Sequence, residues 1–224
     1  MCQADRLFLD GVAAIVAPID QHTRTAVDFQ LSDNASDYLR VALRAAEAAA
    51  TISRDYYAGN FTVTTKADLT PVTQADVECE QRIREIILER FPEHGFFGEE
   101  TGRTRAGADS LWLVDPIDGT KSFVGGYGMW STQIALMRHG ELMLGVSSAP
   151  ALGEMAWAVR GAGAHMNGTP IRISDRTTLE QAAISTGNLQ TMASSAQWTR
   201  LGEILARVNR TRGYGDYYHY HRLA

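Results

Sequence analysis

The residues best suited to chemistry are two aspartates, Asp115 and Asp118, which follow the apolar run LWLV. We expect that run to be a buried strand and DPIDGT to be a sharp turn that presents both carboxylates just beyond the strand's end. Hard divalent cations such as Mg²⁺ require several oxygen ligands, so two carboxylates on one rigid turn can share one ion or bridge two. Gly119 and Thr120 come next, at the expected N-terminus of a helix, where backbone N–H groups suit an anionic phosphate. Such a turn is also common as a purely structural feature, so its context decides between the two interpretations.

Two further acidic segments precede this turn. Gly98-Glu99-Glu100 follows the apolar pair Phe96-Phe97. Adjacent glutamates are usually exposed, but their position after a glycine at a strand end predicts that one of them points into the same cleft as Asp115 and Asp118. The other segment, KADLTPVTQAD, ends at Asp76. Its structural interpretation is a loop followed by a helix cap.

Two amphipathic helices are predicted to position these segments. From Asp37 onward, capping residues precede apolar residues at helical spacing, namely Leu39, Leu43, Ala46, Ala50 and Ile52. Thr73 is placed to cap the second helix, so that Asp76 falls in its first turn. The apolar stripe of that helix comprises Cys79, Ile83, Ile86, Ile87 and Phe91, and Pro92 with Gly95 ends it.

Short β-prone runs follow, and we expect them to form one sheet. They are FFGE, LWLVD, STQIALM, ELMLGVSSA and EMAWAV. Asn167-Gly168 is typical of a hairpin turn, AAISTG predicts another strand, and residues 198–208 have helical spacing. Two leading helices followed by many strands predict an α/β or α+β layered fold.

Composition excludes several classes of protein. The 224 residues suit one large domain or two small ones. Lys+Arg 21 against Asp+Glu 26 gives a net charge of −5, so we expect no nucleic-acid partner. No apolar run is long enough to cross a bilayer, so no membrane partner is expected.

The cysteines and the N-terminus bear on location and domain organisation. Cys2 and Cys79 are too few for a disulfide framework and lack the spacing of a zinc site, which favours a cytoplasmic location. Residues 1–33 have weak periodicity and are interpreted as an N-terminal extension of unknown role. Residues 34–224 are then the functional domain.

Taken together, the acidic segments resemble the inositol monophosphatase superfamily of Mg²⁺-dependent, lithium-sensitive phosphatases. The resemblance rests on PVTQAD, GEE and WLVDPIDGTKSF, in this order and spacing. DGTKSF followed by WSTQIAL is more similar to the histidinol-phosphatase branch than to the inositol-phosphate enzymes, which usually have Thr-Asn-Phe there. The resemblance runs from about residue 37 to the last residue and includes RGYGDYYHY near the end.

This resemblance implies an αβαβα sandwich, a homodimer, and Mg²⁺-dependent hydrolysis of a small phosphate monoester by two or three ions. L-histidinol phosphate, an intermediate of histidine biosynthesis, is the expected substrate. The alternative is an inositol-1-phosphate phosphatase with the same metal site and a different pocket.

By position, the resemblance also implies roles for individual residues. A first metal would be held by Glu99, Asp115 and the backbone carbonyl of Ile117, and a second by Asp115 and Asp118. Asp76, through water, and Glu99 would serve a third and weaker ion, and Thr120 would orient the attacking water. The catalytic group is then Glu99, Thr120 and Asp76, and the expected substrate contacts are Asp118, Gly119, Thr120, Arg212 and Asp216. The last two match positions that face the organic part of the substrate, where an aspartate suits a cationic amine such as that of histidinol.

One feature departs from the family pattern. The family places a further aspartate, a ligand of the second metal, on a C-terminal segment beyond Gly215-Asp216, whereas this sequence ends at Ala224. We expect either a fragment of a longer protein or a natural truncation with a weakened second metal site. A truncated, catalytically inactive family member is therefore the alternative from another class.

Overall fold

The computed structural model describes residues 33–59, 63–65, 71–187 and 189–223. It divides into two compact units, the first ending at Ile171 and the second beginning at Arg172. The N-terminal extension interpreted from the sequence lies outside the described residues, apart from Asp33. No helix in the described ranges is long and apolar enough to cross a membrane.

The two predicted amphipathic helices are present and pack on each other. Helix α1 spans Asp33–Ala58 and helix α2 spans Gln74–Arg90. Between them, the short antiparallel strands β1 (Val63–Thr65) and β2 (Pro71–Thr73) lead into α2. Along α1 the fully buried side chains are small, among them Ala42, Ala45, Ala46 and Ala49. Small side chains let the partner helix approach closely, so this face of α1 is nearly all alanine.

The predicted strands form one eight-stranded sheet in the order β10-β9-β8-β7-β6-β5-β3-β4. Their bounds are β3 Gly95–Gly98, β4 Gly102–Thr104, β5 Ser110–Asp118, β6 Ser131–Arg138, β7 Glu141–Ala149, β8 Glu154–Val159, β9 Gly163–Met166 and β10 Thr169–Ile171. Neighbouring strands are antiparallel except for β3 and β5, which run parallel. The two edge strands, β4 and β10, have three residues each, and β10 contains Pro170.

Helices α1 and α2 cover the sheet and bury the main core. Helix α1 contacts β6 and β7, and α2 contacts β5. The core includes Phe96, Trp112 and Ile134, all without exposed surface. Cys79 is buried in the same core, as its place on the apolar stripe predicts.

A second, smaller core lies under the acidic turn. It consists of Ala75, Ile117, Phe123 and Trp130, with Tyr57 packed against it. Trp130 is fully buried in this core. This core fixes the short helix α3, Thr120–Val124, because Phe123 is its buried residue.

The predicted hairpin turn is confirmed between β9 and β10. Asn167 and Gly168 both have positive φ, at 49° and 79°. Two successive residues with positive φ match the right-handed twist of a two-residue hairpin, which explains the Asn-Gly pair.

One prediction about the acidic turn is wrong. Asp115 and Asp118 do not follow the strand: β5 continues to Asp118, and the pairing with β6 is irregular between these two residues. The backbone keeps its pairing through Asp115↔Gln133 and resumes it at Asp118↔Ser131, so the one extra residue on β5 is absorbed as a bulge.

The second unit contains shorter elements. A 3₁₀ turn (Leu179–Gln181) precedes β11 (Ala183–Ser185), which pairs in parallel with β12 (Arg210–Arg212). Three helices complete it: α4 Leu189–Ala193, α5 Trp198–Leu205 and α6 Tyr218–His221. Strand β11 and helix α5 confirm the sequence predictions for AAISTG and for residues 198–208.

Candidate active site

The parallel pairing of β3 and β5 brings two acidic segments side by side. Gly98 pairs with Val114, so the residues that follow them, Glu99 and Asp115, leave the pair as neighbours. The Glu99 N–H donates to the Val114 carbonyl over 3.1 Å. The expectation that a glutamate after Gly98 shares a cleft with Asp115 therefore agrees with the register of the sheet.

Asp76 reaches the same place from the first turn of α2. Its carboxylate Oδ2 accepts hydrogen bonds from the Thr73 N–H over 2.8 Å and from the Thr73 hydroxyl over 2.6 Å. The Asp76 N–H donates to Thr73 Oγ1 over 3.4 Å, which completes a capping box. The cap thus fixes Asp76 while leaving its Oδ1 for other partners.

Burial and like charge dominate the electrostatics of these acids. The pKa of Asp115 is raised well above its ordinary value by burial first, and then by the neighbouring charges of Asp118 and Glu99. Burial also raises the pKa of Asp76, the hydrogen bonds from Thr73 oppose that rise, and the charge of Glu99 adds to it. The charges of the neighbouring carboxylates therefore oppose the ionisation of Asp115 and Asp76.

Thr120 connects the bulge to Asp76. Its hydroxyl lies 3.1 Å from the Ile117 carbonyl oxygen and 3.5 Å from Asp76 Oδ1, both of which can accept its proton. Gly119 precedes it with φ at 89°, a left-handed conformation that favours glycine. The Ile117 side chain is buried in the small core, so its carbonyl is held in place from beneath.

The donor chemistry of the cluster fits a hard cation. Asp115 Oδ1 is inaccessible to solvent, and no atom of the described residues donates a hydrogen bond to it. A buried carboxylate oxygen without a donor, among three other acids, lacks the positive charge that would offset its desolvation. Within the described ranges, no group of three or more Asp, Glu, His or Cys side chains is arranged so that it could hold a metal ion. Glu99, Asp115, Asp118 and the Ile117 carbonyl are the groups whose chemistry suits a hard cation, and the charge of Asp76 also acts on Asp115.

Arg212 and Asp216 belong to the second unit. Arg212 is exposed on β12, and its guanidinium donates to the Thr211 carbonyl over 2.8 Å. Asp216 is exposed with φ at 47°, and its charge acts on nearby His219. The structure therefore places these two residues within the second unit and the four acids within the first.

Sequence reasoning missed Glu80. This residue is fully buried on α2, one turn after Asp76, and both of its carboxylate oxygens accept backbone hydrogen bonds from the turn after Glu99. The available signal was its position four residues after Asp76, which puts both side chains on one helix face.

The profile of the Inositol monophosphatase family matches residues 34–219 of the chain. The chain belongs to the inositol monophosphatase family. A histidinol-phosphatase of Chlorobaculum parvum is 44% identical over 137 residues, which are 61% of this chain and 53% of that protein. A histidinol-phosphatase of Mycobacterium tuberculosis is 37% identical over 190 residues, covering 82% of this chain and 73% of that protein.

Solved structures agree with this assignment. An inositol monophosphatase from Zymomonas mobilis has a TM-score of 0.72 at 33% identity, over 86% of this chain and 74% of that one. The inositol monophosphatase fold expected from the sequence is therefore confirmed, and the chain belongs to a generally metal-dependent family of phosphatases. The match to the Chlorobaculum protein spans about half of that protein's length.

Proposed function

We propose that this protein hydrolyses a small phosphate monoester with Mg²⁺, and that its substrate is L-histidinol phosphate. The observation that carries the proposal is that the charges of Asp76, Glu99 and Asp118 act on Asp115, and that Asp115 has a buried carboxylate oxygen with no donor among the described residues. The choice of substrate is supported by the two histidinol-phosphatases at 44% and 37% identity.

In this proposal Glu99, Asp115 and the Ile117 carbonyl would hold one ion, and Asp115 and Asp118 would hold a second. Asp76, through water, and Glu99 would serve a third, weaker ion. When bound, Mg²⁺ supplies positive charge for the phosphoryl oxygens and lowers the pKa of water.

The protein's own groups orient the attacking water. The Thr120 hydroxyl donates its single proton to the Ile117 carbonyl or to Asp76 Oδ1, so its lone pairs are available to accept from a water molecule. Because Thr120 begins α3 directly after the bulge, a water molecule bound to its hydroxyl would be near Asp118 and the backbone of Gly119. Asp118, Gly119 and Thr120 then form the end of the site that holds the phosphate.

Arg212 and Asp216 are proposed to contact the organic part of the substrate. An exposed aspartate suits the ammonium group of histidinol, whereas inositol carries hydroxyl groups and no cation.

We also propose that the protein acts as a homodimer in the cytoplasm, within histidine biosynthesis.

The test is release of inorganic phosphate from L-histidinol phosphate and from inositol 1-phosphate, side by side, with Mg²⁺ or with EDTA. We expect Mg²⁺-dependent release, faster from histidinol phosphate, and inhibition by Li⁺. Faster release from inositol 1-phosphate would overturn the choice of substrate. No release from either compound by a folded chain would favour the inactive alternative.

Asp118→Asn tests the site itself. We expect it to lower kcat/KM by at least about 100-fold, since even residues that only support metal ligands contribute about 10- to 100-fold. Its folding should change little, because Asp118 is half-buried at the end of β5. Asp109→Asn is the matched control, as the Asp109 side chain is 82% exposed. Unchanged activity of Asp118→Asn, or its global unfolding by circular dichroism, would contradict the proposed role.

A further inference from the structure

We propose that Glu80 is a positioning residue for Glu99: its buried carboxylate holds the turn that places Glu99 beside Asp115. The inference rests on the proposed function, because Glu99 is assigned there as a metal ligand.

The contacts of Glu80 are specific to its charge and length. Its Oε2 accepts the Glu100 N–H over 2.7 Å, and its Oε1 accepts the Thr101 N–H over 2.8 Å. Short bonds of this kind are typical of a carboxylate that accepts from N–H groups. Two successive N–H groups that converge on one anion form a concave backbone site, and here α2 of the same chain supplies the anion.

The end of β3 is built around this carboxylate. A Cβ atom on Gly98 would lie 2.2 Å from both the Cδ and the Oε1 atoms of Glu80, which no real contact allows. Because the φ of Gly98 is not positive, the obstacle to a larger residue here is the Glu80 carboxylate, which would have to move, and not the backbone conformation. The Glu80 carboxylate is therefore packed directly against the backbone that precedes Glu99.

These contacts hold Glu99 from both sides. The Glu99 N–H donates to Val114 on β5, and the next two N–H groups, of Glu100 and Thr101, donate to Glu80. Three consecutive peptide groups are thus fixed, which sets the direction of the Glu99 side chain. That side chain interacts with Asp115 and Asp76. Helix α2 therefore contributes Asp76 to the group of acids, and one turn later it contributes Glu80, which orients Glu99.

The principal test variant is Glu80→Gln, with Glu85→Gln on the exposed side of the same helix as control. A glutamine keeps one acceptor oxygen but turns an NH₂ group toward a backbone N–H, so one of the two bonds is lost. We expect faster hydrogen exchange at the amides of Glu100 and Thr101, measured by NMR without any metal. We also expect the Kd for Mn²⁺, measured by calorimetry, to rise about 10- to 100-fold, as for other residues that support metal ligands. Glu85→Gln should change neither quantity.

Gly98→Ala provides a second and independent perturbation. Its methyl group displaces the Glu80 carboxylate, so it should reproduce both effects of Glu80→Gln. In the double variant Gly98→Ala with Glu80→Ala the methyl group meets no carboxylate, so the Kd for Mn²⁺ should be close to that of Glu80→Ala alone. If the two substitutions instead weaken Mn²⁺ binding additively, Gly98→Ala does not act through Glu80.

The outcomes separate the inference from the proposed function. Unchanged exchange at Glu100 and Thr101 in Glu80→Gln, or an unchanged Kd for Mn²⁺ in a wild-type background that binds the ion, overturns the role of Glu80. A wild-type chain that neither binds Mn²⁺ nor releases phosphate refutes the proposed function instead. In that case the amide exchange decides by itself whether Glu80 holds the turn.

Discussion

Thr73→Ala tests how the site depends on a single hydroxyl group. Thr73 is buried between β2 and α2, where its hydroxyl accepts from the Asp76 N–H over 3.4 Å and donates to Asp76 Oδ2 over 2.6 Å. The substitution removes both contacts. It leaves the hydrogen bond from the Thr73 peptide N–H to Asp76 Oδ2, at 2.8 Å, in place.

The expected loss follows from these two contacts. Removing an N-cap hydroxyl costs about 0.5–2 kcal/mol, and the long 3.4 Å contact argues for the lower half of that range. Removing a hydrogen bond to a charged group costs about 1.5–3 kcal/mol. We therefore expect the free energy of unfolding to fall by about 3 kcal/mol. In a chain of this size that corresponds to a decrease in Tm of roughly 6–12 °C.

Urea denaturation followed by circular dichroism measures this loss, with Thr73→Ser as the matched control. Serine keeps the hydroxyl and loses one methyl group, so the free energy of unfolding should fall by only about 0.8 kcal/mol, the value for one buried CH₂ group. Because the Thr73 hydrogen bonds lower the pKa of Asp76, the alanine variant should also shift that pKa further upward. Equal losses for alanine and serine would refute the assignment of the hydroxyl as both cap and carboxylate partner.

Three further predictions concern buried titratable groups. Burial lowers the pKa of His94, whose Nδ1 accepts a hydrogen bond from Trp112 Nε1 over 3.0 Å. The stability that neutral His94 contributes is therefore present above the ordinary histidine pKa of 6.5 and is lost as pH falls through the lowered pKa. His94→Gln should therefore lose less stability than wild type between neutral and acidic pH, and identical pH profiles for His94→Gln and wild type would contradict this. Burial raises the pKa of Cys79 to about 12, so its thiol is not ionised and reacts slowly in the folded chain. In a Cys2→Ser background, iodoacetamide should therefore modify the chain only when it unfolds, and fast modification of the folded chain would contradict this. Asp115→Asn should raise the urea midpoint in EDTA at neutral pH, because it removes a carboxyl group whose ionisation is opposed in the folded chain by burial and by the charges of Asp118 and Glu99; a lower midpoint would argue against that raised pKa.

The elements of this protein follow from local sequence patterns because each pattern has one dominant physical cause. Helical spacing of apolar residues predicts α1, the capping residue Thr73 predicts the start of α2, and Asn167-Gly168 predicts the last hairpin. The position of Asp76 in the first turn of α2 follows directly from that cap.

The details of the site depend on pairing between strands, which local patterns do not contain. The sequence DPID predicts a turn, since proline disfavours a regular strand. Pairing with β6 up to Asp115 and again at Asp118 outweighs that local preference and makes a bulge. Glu80 was missed for a similar reason: a glutamate on a helix is usually exposed, and its partners, Glu100 and Thr101, become visible only once β3 is placed against α2.

The short strands at both ends of the sheet bear on how the protein behaves in concentrated solution. An exposed strand edge offers unpaired N–H and C=O groups to other chains and is a common start of aggregation. Here β4 offers only three residues, one of them Arg103, and β10 offers three residues of which Pro170 has no N–H to donate. Each edge of the sheet is thus a poor template for a further strand. The first unit should therefore resist edge-to-edge assembly into fibres even where its central strands are strongly apolar.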